Sequence, residues 1–425
     1  MKLERIITIV LGIGLATSLF TGCSDSGRNI SGKTTIELVN YKREAVSIFE
    51  EFAEEFNKEN PDLNLVIDSP NDAVTIIKTR LIRNDNPDII AIGGDNTFSN
   101  LVDADVLADI SDYEGIKEIK DRYLAIDKEL ELVPKEGVYA VPYAANASGI
   151  LYNAEMFKKH GWNVPKTWTE LIELCKEIQS EGISPFTFGY KDTWTTLAPW
   201  NALAVNLTSP DIFTKVNLGE DTFANHYGEI AEKQKELIQY CKNDPFAYGY
   251  NDACTAFARG ESAMYAIGSY AIAQILTVNP EIDIQSFVMP ATDDESKNIL
   301  NSGIDLQFSV LEDTENKEAC YRVLEFLQRD ENVQKYIDSQ MSVSCKKGNF
   351  TLNKTIEGMK PYIDEDKLQD YPDHHYPTEL GADALIQTYL IDGNLDKFLK
   401  GFDNDWARYN RDIITRLKEY NDKNQ

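Results

Sequence analysis

The chain has 425 residues, 70 acidic against 42 basic side chains and a formal net charge of −28, and 42% of its residues are hydrophobic. So negative a balance argues against nucleic acid or an anionic lipid surface as a partner, while the apolar content suffices for packed cores. A length beyond the ~250–300 residues at which one core stops growing makes two lobes the expectation.

At the start of the chain, Lys2 and Arg5 precede an apolar run over residues 6–20, followed by Thr21, Gly22 and Cys23. A basic start, a run shorter than the ~20 apolar residues of a membrane span, and small residues before a cut site read as a secretory signal. Its ending at Cys23 resembles a bacterial lipoprotein signal, with Phe20 where Leu is usual. That resemblance implies removal of residues 1–22, lipidation of Cys23, and an exported protein held to the outer face of the cell membrane by the lipid alone. Residues 23–33 then read as a flexible tether, small and polar after the cysteine.

Residues 36–39 read as a strand. Val46, Phe49, Phe52, Ala53 and Phe56 recur at helical spacing with Glu50, Glu51, Glu54 and Glu55 facing outward, and Asn60-Pro61 ends the helix. Leu63, Leu65 and Ile67 alternate as a half-buried strand does, residues 73–83 form a second helix, and residues 88–92 an apolar strand ending at Gly93-Gly94. Strand, helix, strand, helix, strand is the order of a parallel α/β sheet. Beyond Tyr143, Thr167 and Glu170 predict a capping box ahead of an amphipathic helix through Ile178. Residues 251–259 read as helix, residues 262–267 as strand, and Gly268-Ser269 as the turn into another helix. Cys320, Val323, Leu324 and Leu327 mark one more, and residues 395–417 a single long C-terminal helix. The five cysteines after Cys23 are odd in number and lack a CxxC pair, which fits neither a disulfide framework nor a zinc ribbon. Cys175 and Cys320 fall on apolar helix faces, and a bridge between Cys241 and Cys254 stays open.

The stretch Tyr139-Ala-Val-Pro-Tyr-Ala-Ala-Asn-Ala-Ser-Gly-Ile-Leu-Tyr-Asn153 is followed by Met156-Phe157, Gly161 and Pro165-Lys166-Thr167-Trp168. Further pieces are Asn86-Pro-Asp-Ile-Ile90, Phe257-Ala-Arg-Gly-Glu-Ser-Ala-Met264, Gly268-Ser-Tyr270 and Phe287-Val-Met-Pro290. In this order they resemble the family 1 extracellular solute-binding proteins of ABC importers, a sugar-binding class. The resemblance implies an α/β, two-lobed periplasmic-binding-protein-like fold (type II) with a ligand cleft between the lobes. It places lobe 1 at 34–143 plus about 304–341, lobe 2 at about 147–300 plus 345–425, and crossings near 143–147, 301–303 and 340–344. It further implies a monomer without catalysis or cofactor, which captures a carbohydrate, an oligosaccharide, and delivers it to the transmembrane subunits of an ABC permease.

Open α/β sheets bind ligands beyond the carboxyl ends of their strands. A neutral sugar needs aromatic faces there for its C–H surface and planar hydrogen-bonding groups for its hydroxyls. Three strand ends offer them: Tyr41 and Lys42, Asp95 and Asn96, and Ser269 and Tyr270. The resemblance adds roles. Asp95 falls on a carboxylate that accepts sugar hydroxyls, Tyr270 on a stacking position, Asn146 on a polar contact at the crossing, Asp192 and Trp194 on a cleft-facing loop, and Tyr376 on a late aromatic contact. Ile92 stands where the family often has an aromatic platform, which argues against a maltose-like preference. Trp162, Trp168 and Trp406 read as structural, with Trp200 open. Two other classes compete. A glycan-cleaving enzyme needs two carboxylates, one with a raised pKa, and the chain carries no Gly-x-Ser-x-Gly, His-Glu-x-x-His or P-loop motif. A metal site at His374, His375 and Tyr376 is disfavoured because neighbours on an extended segment point to opposite sides. No metal ligand and no catalytic residue is therefore expected.

Overall fold

The computed structural model describes residues 32–424; the leader, Cys23 and most of the tether lie outside the described residues. The strands are, in chain order, β1 (Thr34–Asn40), β2 (Leu63–Asp68), β3 (Ile89–Ile92), β4 (Val141–Ala145), β5 (Ser148–Asn153), β6 (Ser184–Thr187), β7 (Ser262–Gly268), β8 (Ile284–Phe287), β9 (Leu300–Asn301), β10 (Ile304–Val310), β11 (Val343–Ser344) and β12 (Leu368–Gln369). They form two six-stranded sheets, one in the order β11-β4-β10-β3-β1-β2, the other β12-β9-β5-β7-β6 with β8 also paired to β5.

In the first sheet β1 runs parallel to β2 and β3, as the alternation of strands and helices dictates. The helices between them, Val46–Glu59 and Ala73–Arg83, bury Phe49, Phe52 and Phe56 and Ala73 and Ile77 against that sheet. β10 enters antiparallel to both β3 and β4, so the sheet is mixed, because β10 returns from the second lobe rather than from a crossover helix. In the second sheet β5 is antiparallel to β7, β8 and β9, whereas β6 and β7 are parallel. The two faces of β5 serve different cores: Ile150 packs with the helical body of the second lobe, while Leu151 packs with a cluster that continues into the first.

The chain passes between the sheets at residues 146–147 and again at 302–303, where Asn146 N–H donates to the Gly303 carbonyl (3.1 Å). The third passage lies later in the chain than the expected 340–344. Val343 and Ser344 pair with β4, Cys345 is fully buried in the first core, Lys346 bridges Ile119, and Gln334 bonds the backbone of Thr351 at both ends of its amide. Only from the short helix Lys354–Met359, which packs on β8, does the chain belong to the second lobe. The segment 345–352 thus stays with lobe 1, since its apolar residues complete that core.

Two further expectations change in detail. Thr167 accepts from Glu170 N–H (3.2 Å), but Glu170 reaches back to Lys166 N–H (2.7 Å) instead of Thr167, so half of the capping box forms. The long C-terminal helix is two, Leu395–Tyr409 and Arg411–Asn424, broken at Asn410. The second of them reaches across to lobe 1, where Arg416 holds Asp103 through two 2.8 Å bonds. Cys175, Cys241, Cys254, Cys320 and Cys345 are all free thiols, so the Cys241–Cys254 bridge does not form. Trp162, Trp168, Trp200 and Trp406 are all buried. Among the described residues no helix is long and apolar enough to cross a membrane.

Candidate ligand-binding cleft

A cavity of about 740 Å³ lies where the sheets meet, walled by both lobes. From lobe 1 come Tyr41, Lys42 and Glu44 beyond β1, with Ser339 and Gln340 at the end of helix Asp330–Gln340; the crossings add Asn146 and Asp305. From lobe 2 come Trp194, Asn201, Tyr250, Tyr270, Tyr371, Asp373 and His374.

The lobe 1 wall is one hydrogen-bonded unit. Fully buried Asn40 accepts from Lys42 N–H (3.0 Å) and donates to its carbonyl (2.9 Å), which turns the chain sharply after β1. The turn aims Lys42 Nζ at Asp305 Oδ1 (2.7 Å) and Glu44 Oε1 (3.0 Å). Asn146 Nδ2 donates to the same Asp305 oxygen (2.7 Å), and Tyr41 OH donates to the Asp305 carbonyl. Burial alone would lower the Lys42 pKa, but Asp305 and Glu44 more than offset it and hold the ammonium charged. The Tyr41 phenol is pushed up by burial and then by Asp305, so it stays protonated.

The lobe 2 wall is aromatic. Trp194, 43% exposed, sits 5.0 Å from Tyr250 and 6.2 Å from Tyr270, centroid to centroid, each at 51°. The Tyr270 ring lies directly over Gly268, where a Cβ would come within 2.3 Å of it, so only glycine admits this ring position. Tyr371 OH meets Ser148 Oγ (2.7 Å) at the start of β5, and the ring stacks on His374 (4.9 Å, 25°).

A second cavity of about 270 Å³ adjoins the first and shares Leu197, Asp373 and His374 with it. Asp95, Asn96 and Thr97 line it from lobe 1, and Tyr376, Thr378 and Asp383 from lobe 2. Asp95 also caps helix Asn96–Asp103, accepting from Thr97 N–H (2.7 Å).

The expected site residues therefore fall into three groups. Tyr41, Lys42, Asn146, Trp194 and Tyr270 line the large cavity, and Asp95 and Asn96 the small one. Asp192 and Ser269 line neither. The Asp192 carboxylate accepts from Tyr250 N–H (2.7 Å) at the start of helix Tyr250–Ala258, so it places Tyr250 instead of facing the cleft. Ser269, 0% exposed, ties its N–H to the Ala147 carbonyl (2.9 Å) and fixes β7 to the crossing. Tyr376 borders the small cavity but is 5% exposed, with its hydroxyl turned inward to Trp200 Nε1 (3.1 Å) and Tyr227 OH (2.9 Å). A buried hydroxyl needs partners, and the second lobe's core supplies them. Sequence reasoning missed Asp305, Tyr250, Asn201, Tyr371, Asp373 and His374. Two carried a usable signal: Asp305 follows the expected return crossing, and Tyr250 opens a helix already foreseen.

The two histidines diverge. His374 Nδ1 pairs with Asp370 Oδ1 (2.9 Å), while His375 stacks on Phe213 (4.2 Å, 13°). Burial would lower the pKa of His374, but Asp370 dominates together with Asp373 and Asp95, raising it to about 9. His375 goes the other way, lowered by burial to about 4 despite Asp370. Among the described residues no three His, Cys, Asp or Glu side chains gather as a metal would need.

Residues 41–334 match the family model of the bacterial extracellular solute-binding proteins. The multiple sugar-binding protein of Streptococcus mutans is 26% identical over 93% of this chain and 95% of its own. The apo form of RafE from Streptococcus pneumoniae superposes with a TM-score of 0.77 at 25% identity, over 89% of this chain and 99% of that one. RafE in complex with raffinose superposes at 0.73, also 25% identical, over 88% and 99%. With the match covering most of the sequence and the two-lobed architecture shared, the chain belongs to the bacterial extracellular solute-binding protein family.

Proposed function

We propose that the chain captures a carbohydrate in the interlobe cleft and hands it, unaltered, to the transmembrane subunits of an ABC permease. In this reading the protein is a monomer tethered to the outer face of the membrane by a lipid on Cys23. The observation that carries the ligand class is the pairing of two unlike walls in one cavity. Trp194, Tyr250 and Tyr270 offer faces for the C–H side of a pyranose, opposite the polar set of charged Lys42 and Asp305 and the Asn146 amide for its hydroxyls. The sugar-named relatives support the same class. The ligand drives closure only by its greater affinity for the closed form, and walls drawn from both lobes supply that difference. Asp95, Asn96 and Lys42 with Tyr41 are the lobe 1 contacts of this reading, and Trp194 and Tyr270 those of lobe 2.

A thermal-shift screen across mono- and oligosaccharides, with a sugar phosphate and an oligopeptide as controls, tests it. A ligand at 100 times its Kd adds about 2.7 kcal/mol to a fold that alone binds it, so a carbohydrate should raise the transition by several degrees and be recovered intact by chromatography. A shift with the peptide or the phosphate alone would overturn the carbohydrate reading, and cleaved product the binding role. Mass measurement of the N-terminal fragment of the membrane-bound protein checks the acylated Cys23.

A further inference from the structure

We propose that the C-terminal helix Arg411–Asn424 is a ligand-independent latch between the lobes, in which Arg416 grips Asp103 and holds the arrangement that encloses the cleft. The proposal rests on the reading that a ligand is taken up between two moving lobes, and not on what that ligand is. Among the described residues Arg416–Asp103 is the one ion pair that joins lobe 1 to lobe 2. The others close within a single lobe, as Arg322 with Asp62 and Lys354 with Asp283 do.

Both ends of the contact are built for it. Arg416 Nη1 and Nη2 reach Asp103 Oδ1 and Oδ2 at 2.8 Å each, two parallel charge-assisted bonds. Asp412, one turn earlier, accepts from Arg416 Nε (2.9 Å) and aims the guanidinium. Asp103 is the last residue of helix Asn96–Asp103, where the helix dipole disfavours a carboxylate. The helix itself therefore gives no reason for an acid there, whereas the facing lobe does. Lys135, the nearest cation of lobe 1, is engaged elsewhere: it donates to the Val102 carbonyl (2.5 Å) and to Asp105 Oδ1 (2.6 Å), which fixes the helix end and leaves the Asp103 carboxylate to Arg416. Next to the pair, Leu417 is buried on a cavity of about 180 Å³ walled by Leu130, Leu132 and Pro134 of lobe 1 and by Phe213 and Ile413 of lobe 2. A seam with unfilled space forfeits dispersion contacts, so it parts more readily than a core.

The latch is tied to the cleft through one short helix. The residues at the start of Asn96–Asp103 line the smaller cavity and its last residue carries the latch, about 12 Å away at 1.5 Å per residue. On the other side, helix Arg411–Asn424 packs on helices Ile212–Leu218 and Leu395–Tyr409, so it moves with lobe 2. Rotation of one lobe on the other at the crossings carries Arg416 away from Asp103. In the arrangement the pair holds, both cavities have walls from both lobes, so the latch raises the population competent to hold a ligand, and apparent affinity follows that population. The two side chains are 38% and 22% exposed, and so exposed a pair adds little to folding. A lobe equilibrium near balance responds to the same small increment.

Small-angle X-ray scattering of the unliganded protein tests the latch, comparing wild type with Arg416→Gln, Asp103→Asn and the charge reversal Arg416→Asp with Asp103→Arg, and with circular dichroism melting alongside. Each single variant should have a larger radius of gyration at an almost unchanged melting temperature, and the reversal should restore the wild-type value. In calorimetry with raffinose as the probe, each single variant should bind about fivefold more weakly. Unchanged scattering in both single variants, an expansion that the reversal does not undo, or tighter raffinose binding by the variants would overturn the latch. A wild-type protein that binds no raffinose bears on the carbohydrate reading alone, and the scattering still decides the latch.

Discussion

The two walls of the cleft are built on opposite plans. On the lobe 1 side Tyr41, Lys42 and Asn146 converge on a single residue, Asp305, so their polar groups are fixed by the protein before any ligand arrives. On the lobe 2 side Trp194 makes ring contacts with Tyr250 and Tyr270, which pack on the core behind them, and Trp194 itself is 43% exposed. The first wall spends its hydrogen bonds on structure and sets geometry; the second holds apolar area in reserve for a ligand. Substitutions on the first should therefore register in stability as well as affinity, and on the second chiefly in affinity.

The largest effect is expected at Asp305→Ala, which removes the buried partner of the Lys42 ammonium and leaves it only the solvent-exposed Glu44. Breaking a buried pair costs about 3–5 kcal/mol, visible as a lower denaturation midpoint. The double variant Lys42→Met with Asp305→Leu should regain most of it, because well-packed apolar residues replace such pairs at little cost. If Asp305→Ala melts like the wild type, the lobe 1 wall is not the fixed unit described above.

A somewhat smaller effect is expected from pH. The pKa of His374 rises on folding to about 9 through Asp370, from about 6.5 when unfolded. Its contribution to stability is therefore fully present below pH 6.5 and disappears as pH rises through 9. The shift corresponds to ~3 kcal/mol at most. Melting temperature against pH should fall across this window in the wild type, and His374→Gln should remove that part of the slope.

The smallest effect on stability, and a clean one on binding, is expected at Trp194→Ala. An exposed aromatic contributes within ~0.5 kcal/mol to folding, but loss of one stacking face should weaken carbohydrate binding about tenfold, which is ~1.4 kcal/mol. Equal losses in melting temperature and affinity would place Trp194 in the fold instead of the site.

Much of this architecture is written locally. The phenylalanine stripe of helix Val46–Glu59, the alternation in β2 and the apolar run of β3 are visible residue by residue, because period and turn chemistry act over a few positions. Strand ends gave Tyr41, Lys42, Asp95, Asn96 and Tyr270 as cleft candidates for the same reason: a side chain just beyond a sheet edge is placed by its own strand. Asp192 and Tyr376 show where local reading stops. Each is a plausible ligand group by type, yet one is taken by the N–H of Tyr250 and the other by Trp200 and Tyr227, partners up to 176 residues distant in sequence.

The sequence by itself determined the family and the α/β alternation in lobe 1, since these rest on contiguous motifs and short-range periodicity. Only the tertiary structure decided that residues 345–352 complete the first core, that Asp305 gathers the lobe 1 wall, and that Asp373 and His374 stand between two cavities. Each of these depends on side chains from segments far apart in the chain, whose meeting is fixed by packing and burial and leaves no pattern in the local sequence.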